Sequence, residues 1–304
     1  MTTAVLLGMV ALVLLGPAGL LIDSGKWQLR APRSAIVLWQ ATGLAGALAL
    51  MGAGLAVTTA SYHLSLAQAL VRMVDDARRG RPLTGLGVYG ALGLELATDI
   101  GIVLAVGLVL TSKRLFVARS RHRRLLDLVS TSTDRAPDAL VLDDPRATAY
   151  CVPGFRPRLV VSAGAVEALT DEELLAVMNH ERAHANGRHD IALFPFLSLA
   201  CLLEWVPYVR RSRNSVAMLL EMAADDFASR RCGRQVLASA LVTMAGSGGV
   251  PFGMFAVSTT DVSIRLHRLV GTRPNSAAIA AAAITASAAV VCLPFASLAF
   301  VGVL

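Results

Sequence analysis

Four runs of apolar residues long enough to cross a bilayer constrain this chain more than any other feature. Inside hydrocarbon a backbone must satisfy its own N–H and C=O groups, so a run of about 20 apolar residues is read as a helix. Thr3–Ile22 is the first run; it lacks a basic leader region and a small-residue cleavage site, so it is expected to stay as a helix. The second runs from Ala35 to about Thr59, and its glycines (Gly43, Gly46, Gly52, Gly54) predict close packing of helices in lipid. Residues 60–87 read as a polar loop with an amphipathic piece around Leu64–Val74, Tyr89–Leu110 as a third span, and Ala277–Leu304 as the last. The composition agrees: 55% of the residues are hydrophobic and 16% are charged.

The net charge of +7 would suit nucleic acid, but much of it borders the apolar runs. Lys113, Arg114, Arg119, Arg121, Arg123 and Arg124 directly follow the third span, and Lys26, Arg30 and Arg33 lie between the first two. The positive-inside bias accounts for this placement, so no direct nucleic-acid binding is expected. Alternation then puts both basic segments in the cytoplasm of a plasma-membrane protein. The arginines of the 60–87 loop weigh against this, with Asp75 and Asp76 partly offsetting them. Cys151, Cys201, Cys232 and Cys292 are scattered without metal spacing and read as buried hydrophobes.

Residues 113–276 read as a cytosolic α+β domain. Ala139–Leu142, Thr148–Val152 and Arg158–Ser162 are β-prone and separated by Asp143-Asp144-Pro145 and Pro153-Gly154-Phe155-Arg156-Pro157 turns. A capping box, Thr170 with Glu173, opens a helix whose buried stripe is Leu174, Leu175, Val177 and Met178.

That helix carries His180-Glu181-Arg182-Ala183-His184. Residues four apart share a helix face, so both imidazoles can reach one metal ion and Glu181 can act as general base toward a water on it. A catalytic zinc needs a third protein ligand. Among later residues only Glu204 and Glu221 are glutamates, and Glu204 fits a membrane-interface position beside Trp205. Glu221 is the expected ligand, with Asp225 one turn on to accept the free N–H of a ligand histidine. His184 and Glu221 must then meet, so the apolar stretch 191–209 between them cannot cross the membrane once. Pro195 and Pro207 predict a broken hairpin that dips in and returns, anchored by Arg210, Arg211 and Arg213.

The His180–His184 motif, Glu221-Met222-Ala223-Ala224-Asp225, the Arg158–Ser162 run and the flanking spans together resemble the BlaR/MecR-type membrane metallopeptidases, gluzincin antirepressors related to HtpX-type and CAAX prenyl endopeptidases. The resemblance implies one Zn2+ per chain on His180, His184 and Glu221, Glu181 as base, and a multi-pass helical protein with a cytosolic minimal-zincin domain. It also implies that Arg158–Ser162 is an edge strand aligning a substrate peptide, and that the substrate is a BlaI-type transcriptional repressor. No penicillin-binding domain follows the last span, so a stimulus other than direct β-lactam binding is expected.

Alternatives at this stage are an HtpX-like quality-control protease and a non-catalytic membrane sensor or scaffold. Arg230, Arg231, Arg265 and His267 are candidates for stabilising an oxyanion. Asp190, just past the motif where relatives place an aspartate, either orients the helix end or forms a surface pair with His189. Glu95 and Asp99 in the third span are either polar contacts between spans or headgroup residues.

Overall fold

The computed structural model describes residues 1–62, 66–81, 85–247, 259–271 and 276–302. Positions 64–65 of the expected amphipathic piece and 303–304 of the last expected span lie outside them. Among the described residues, four helical segments are long and apolar enough to cross a membrane. The first is α1 (Thr2–Val13), a π turn over Leu14–Ala18, and α2 (Gly19–Ser24). Pro17 lies within the wide turn, which takes up the missing N–H without ending the helix. The second is α3 (Pro32–Ala60), started by proline at the position that tolerates it. Between α3 and the third segment lies a short amphipathic helix, α4 (Leu66–Arg78).

The third segment differs from expectation. Instead of ending near residue 110, α5 runs unbroken from Gly87 to Val129, 43 residues. The basic stretch after residue 112 contains no Gly or Pro and is rich in Arg and Leu, so nothing stops the helix and it carries the span straight into the domain. It meets α3 through glycines: a Cβ on Gly54 would lie 2.6 Å from the Gly93 carbonyl, so neither position admits a larger residue without moving backbone. Gly93 and Ala97 form this packed face, whereas Glu95 and Asp99 lie on the exposed side of α5. Among the described residues neither carboxylate forms a hydrogen bond or ion pair with another span, so of the two alternatives the polar contact is not seen.

The domain opens on a three-stranded sheet of β1 (Ala139–Leu142), β2 (Ala149–Val152) and β3 (Arg158–Ser162), in the order β1-β3-β2. β3 pairs parallel with β1 and antiparallel with β2, so it is the central strand. This corrects the assignment of Arg158–Ser162 as an edge strand. Leu159, Val160, Val161 and Ser162 are all buried, and a continuous buried run is the mark of a strand covered on both faces. The outer strands are β1, which Thr131 bridges further at Val141, and β2.

Ser162 caps the short α6 (Ala163–Ala168). α7 (Asp171–Asn186) begins at the expected capping box, with Thr170 and Glu173 bonding each other's backbone N–H. Leu174, Val177 and Met178 enter the domain core, but Leu175 is 49% exposed because Ala176 takes its place on the inner face. α8 (His189–Leu203) and α9 (Pro207–Cys232) form a helical hairpin. Pro195 does not break α8, while Pro207 sits in the first turn of α9. The hairpin is seated among the apolar helices: the Tyr208 hydroxyl donates to Thr42 at 3.3 Å, Gln40 donates to the Ala192 carbonyl at 3.1 Å, and a Cβ on Gly107 would lie 2.5 Å from the Ser198 carbonyl. Of the expected anchors, Arg211 pairs with Asp23 at 3.2 Å and Arg213 with Glu204 at 2.6 Å. α10 (Arg234–Gly246) and α11 (Thr259–Val270) close the domain, and α12 (Ala277–Gly302) packs on α3 and α1. Cys292 is exposed on α12 rather than buried; the other three cysteines are half-buried.

Candidate metal centre

Helical periodicity turns two spacings into two facing pairs. His180 and His184 project from one face of α7, Glu221 and Asp225 from one face of α9, and the two helices pack together. His180 Nε2 lies 3.2 Å from His184 Nε2 and 3.3 Å from Glu221 Oε2, and His184 Nε2 lies 3.5 Å from Glu221 Oε1. Two ligands bound at ~2.0–2.1 Å to a tetrahedral ion stand roughly 3.3 Å apart, so these separations suit zinc. Glu221 Oε1 is buried without a hydrogen-bond partner, an orphan that a cation would satisfy. Two imidazole nitrogens and a carboxylate are the donor set of a catalytic zinc site with one position left open. The residues present therefore fit the implied metal.

Around these three a further layer holds them. Asp225 Oδ1 sits 3.0 Å from His180 Nδ1, as its spacing predicted. Arg265 of α11 was only an oxyanion candidate in the sequence, and its place is different. Its guanidinium is 1% exposed and grips Asp225 in bidentate fashion (Nε to Oδ2 2.8 Å, Nη2 to Oδ1 2.7 Å), while Nη1 reaches Glu221 Oε2 at 3.0 Å. Arg268 holds the next residue, Asp226, at 2.8 Å. His189, expected as an alternative in a surface pair with Asp190, is buried instead: its Nδ1 lies 3.0 Å from His184 Nδ1, the atom that faces away from the metal position. A signal for Arg265 exists in the sequence, since it falls four residues before Leu269 on the buried face of α11. A charge on that face requires a buried partner.

Glu181 is buried and accepts the backbone N–H of Cys151, so β2 borders the site. Burial pushes its carboxyl up to about 8. Burial also lowers His184 to about 3 and His189 to about 4. For His180 burial acts downward as well, but the hydrogen bonds it donates to Asp225 and Glu221 outweigh it and carry the imidazole up to about 9. Burial opposes the charges of Glu221 and Asp225, yet His184 and Arg265 hold Glu221 below the ordinary carboxylate value, and Arg265 holds Asp225 well below it.

The remaining candidates fall elsewhere. Arg230, Arg231 and His267 are exposed, and Arg231 stacks on Phe227 with its guanidinium carbon 3.7 Å from the ring centre. Asp190 pairs with Arg119 at 3.1 Å, tying α8 to α5.

The sequence matches peptidase family M48 over residues 117–277, from inside α5 to the first residue of α12. No curated protein and no solved structure matches it. The match leaves out the four apolar segments apart from the basic C-terminal part of α5 and one residue of α12, and it takes in the sheet, both helices of the centre and Arg265. It spans more than half of the residues, and the chain belongs to peptidase family M48, a family of metallopeptidases.

Proposed function

We propose that this protein is a multi-pass membrane zinc endopeptidase whose centre faces the cytoplasm and which cuts a BlaI-type transcriptional repressor as a signalling antirepressor. The observation that carries the peptidase part is the convergence of His180, His184 and Glu221 beside a buried Glu181 within the M48 segment. Four apolar helices and the basic cytosolic end of α5 support the membrane placement. The repressor follows from the resemblance to BlaR/MecR-type enzymes.

His180, His184 and Glu221 would hold the zinc ion, which would supply Lewis acidity toward a peptide carbonyl and a water. The chain's own residues do the rest. Glu181, buried beside the three ligands, takes the proton of the attacking water and returns it to the leaving amine. Asp225 accepts from His180 Nδ1 and so turns Nε2 inward, and Arg265 keeps both acidic side chains in place. The outer edge of β2 passes Glu181 and is positioned to guide an extended substrate.

A second reading, quality control of membrane proteins, is favoured by the hairpin α8–α9. Its seat among α3 and α5 puts the centre within reach of membrane-protein loops. Purified protein should contain zinc and cut the repressor, and Glu181→Gln should retain zinc while lowering the rate by about 10²–10⁴. Cleavage unchanged in Glu181→Gln would sink the mechanism and leave a sensor or scaffold. Trapping substrates in Glu181→Gln cells distinguishes the two protease readings.

A further inference from the structure

A cavity of about 700 Å³ lies between the cytosolic part of α5, the β2–β3 turn and the start of α8. One side of it is apolar, built from Phe116, Phe155, Ile191 and Phe194. Phe155 at the turn tip is fully exposed and Phe116 is 73% exposed, a contiguous apolar surface of the kind that marks an interaction site. The other side is cationic, with Arg119 and Arg156 against the single carboxylate of Asp190. Asp190 meets one terminal nitrogen of Arg119, and Arg119 Nε is buried with no hydrogen-bond partner, a donor in need of an acceptor. The tip is braced, because Arg123 donates to the carbonyls of Val152, Pro153 and Arg156 at 3.3, 3.1 and 2.9 Å. Phe155 and Arg156 are thus presented by a fixed turn.

Both walls come close to the metal centre along the chain, although no residue of the centre lines the cavity. Cys151, two residues before Pro153, gives its N–H to Glu181, and His189, next to Asp190, touches His184. At ~3.3 Å per extended residue, the cavity begins roughly 10 Å from the Glu181 carboxylate. We propose that this cavity is a substrate subsite that takes an apolar side chain flanked by an acidic residue of the protein being cut. Its volume is that of ordinary ligand pockets, its floor matches an aliphatic or aromatic side chain, and its arginines match a carboxylate. Nearness to Glu181 favours a peptide over an anionic lipid, since about three extended residues would carry a chain seated here to the reacting atoms. The inference deepens the peptidase reading and rests on it.

The test is selection from a randomised peptide library on zinc-loaded Glu181→Gln protein in phosphatidylcholine nanodiscs. Peptides with an apolar residue beside Asp or Glu should be enriched about 5- to 10-fold over those with Lys in its place. Arg156→Glu, an exposed substitution, should reverse the charge preference, and Phe155→Ser should weaken the apolar one. The same enrichment in both variants, or none in the parent, overturns the subsite. Loss of peptide binding in phosphatidylglycerol nanodiscs, restored by Arg156→Glu, overturns it in favour of an anionic lipid. Enrichment as expected, with Glu181-intact protein cutting none of the selected peptides, supports the cavity and instead sinks the peptidase reading.

Discussion

Replacing Arg265 by methionine tests how the ligand set is held. The guanidinium is 1% exposed and makes three contacts of 2.7–3.0 Å to Asp225 and Glu221, which are themselves buried. Methionine fills much of the volume but leaves two carboxylates without their cation. Removing one partner of a buried ion pair costs about 3–5 kcal/mol. For a domain of this size each kcal/mol moves the melting temperature by roughly 2–4 °C, so metal-free Arg265→Met should melt about 6–20 °C below the parent. With zinc bound, the ion supplies positive charge to Glu221 and the thermal loss should shrink. The remainder should appear as zinc affinity weakened about 10- to 100-fold, because Asp225 no longer holds His180 firmly. Thermal unfolding in detergent with and without zinc, and competition with a chromophoric chelator, read the two effects. The double variant Arg265→Met/Asp225→Leu should melt above Arg265→Met alone, since it removes a stranded carboxylate. Additive losses, or a single variant with wild-type melting and affinity, would refute the reasoning.

Three further outcomes follow from the same geometry. His189→Leu removes the group against His184 Nδ1 and should weaken zinc binding about tenfold by chelator competition, with helix content unchanged; unaltered affinity would show the contact to be idle. The raised pKa of His180, about 9 against 6.5, means that the stability it contributes to the metal-free fold is present below 6.5 and lost as pH rises through 9. Zinc must displace that proton, so affinity should climb between pH 7 and about 9, and a flat profile would contradict a protonated His180. Thr170→Ala breaks the capping box of α7 and should cost about 1 kcal/mol in thermal unfolding, whereas an undiminished melting temperature would mean that packing alone holds the helix start.

The residues of the centre were legible because a helix converts spacing into direction. His180 with His184, and Glu221 with Asp225, need only the 3.6-residue period to face inward, and their scarcity in the sequence singles them out. The four apolar helices were legible for a related reason: a long apolar run leaves its backbone little regular choice but to bond to itself. What tertiary structure decided was which segments meet. No local pattern states that β1 and β2 both pair with β3, and that pairing put Arg158–Ser162 at the centre of the sheet instead of its edge. Likewise α5 passes the expected end of its span because no Gly or Pro stops it, while hydropathy records only where the apolar residues end. Arg265 lies 40 residues beyond Asp225 and His189 five beyond His184, and neither distance along the chain encodes the contact. Buried charge and ring pairing are properties of helices brought together. The sequence by itself specified the donors and the helices that carry them; only packing decided what grips those donors from behind and which surface stays open to a substrate.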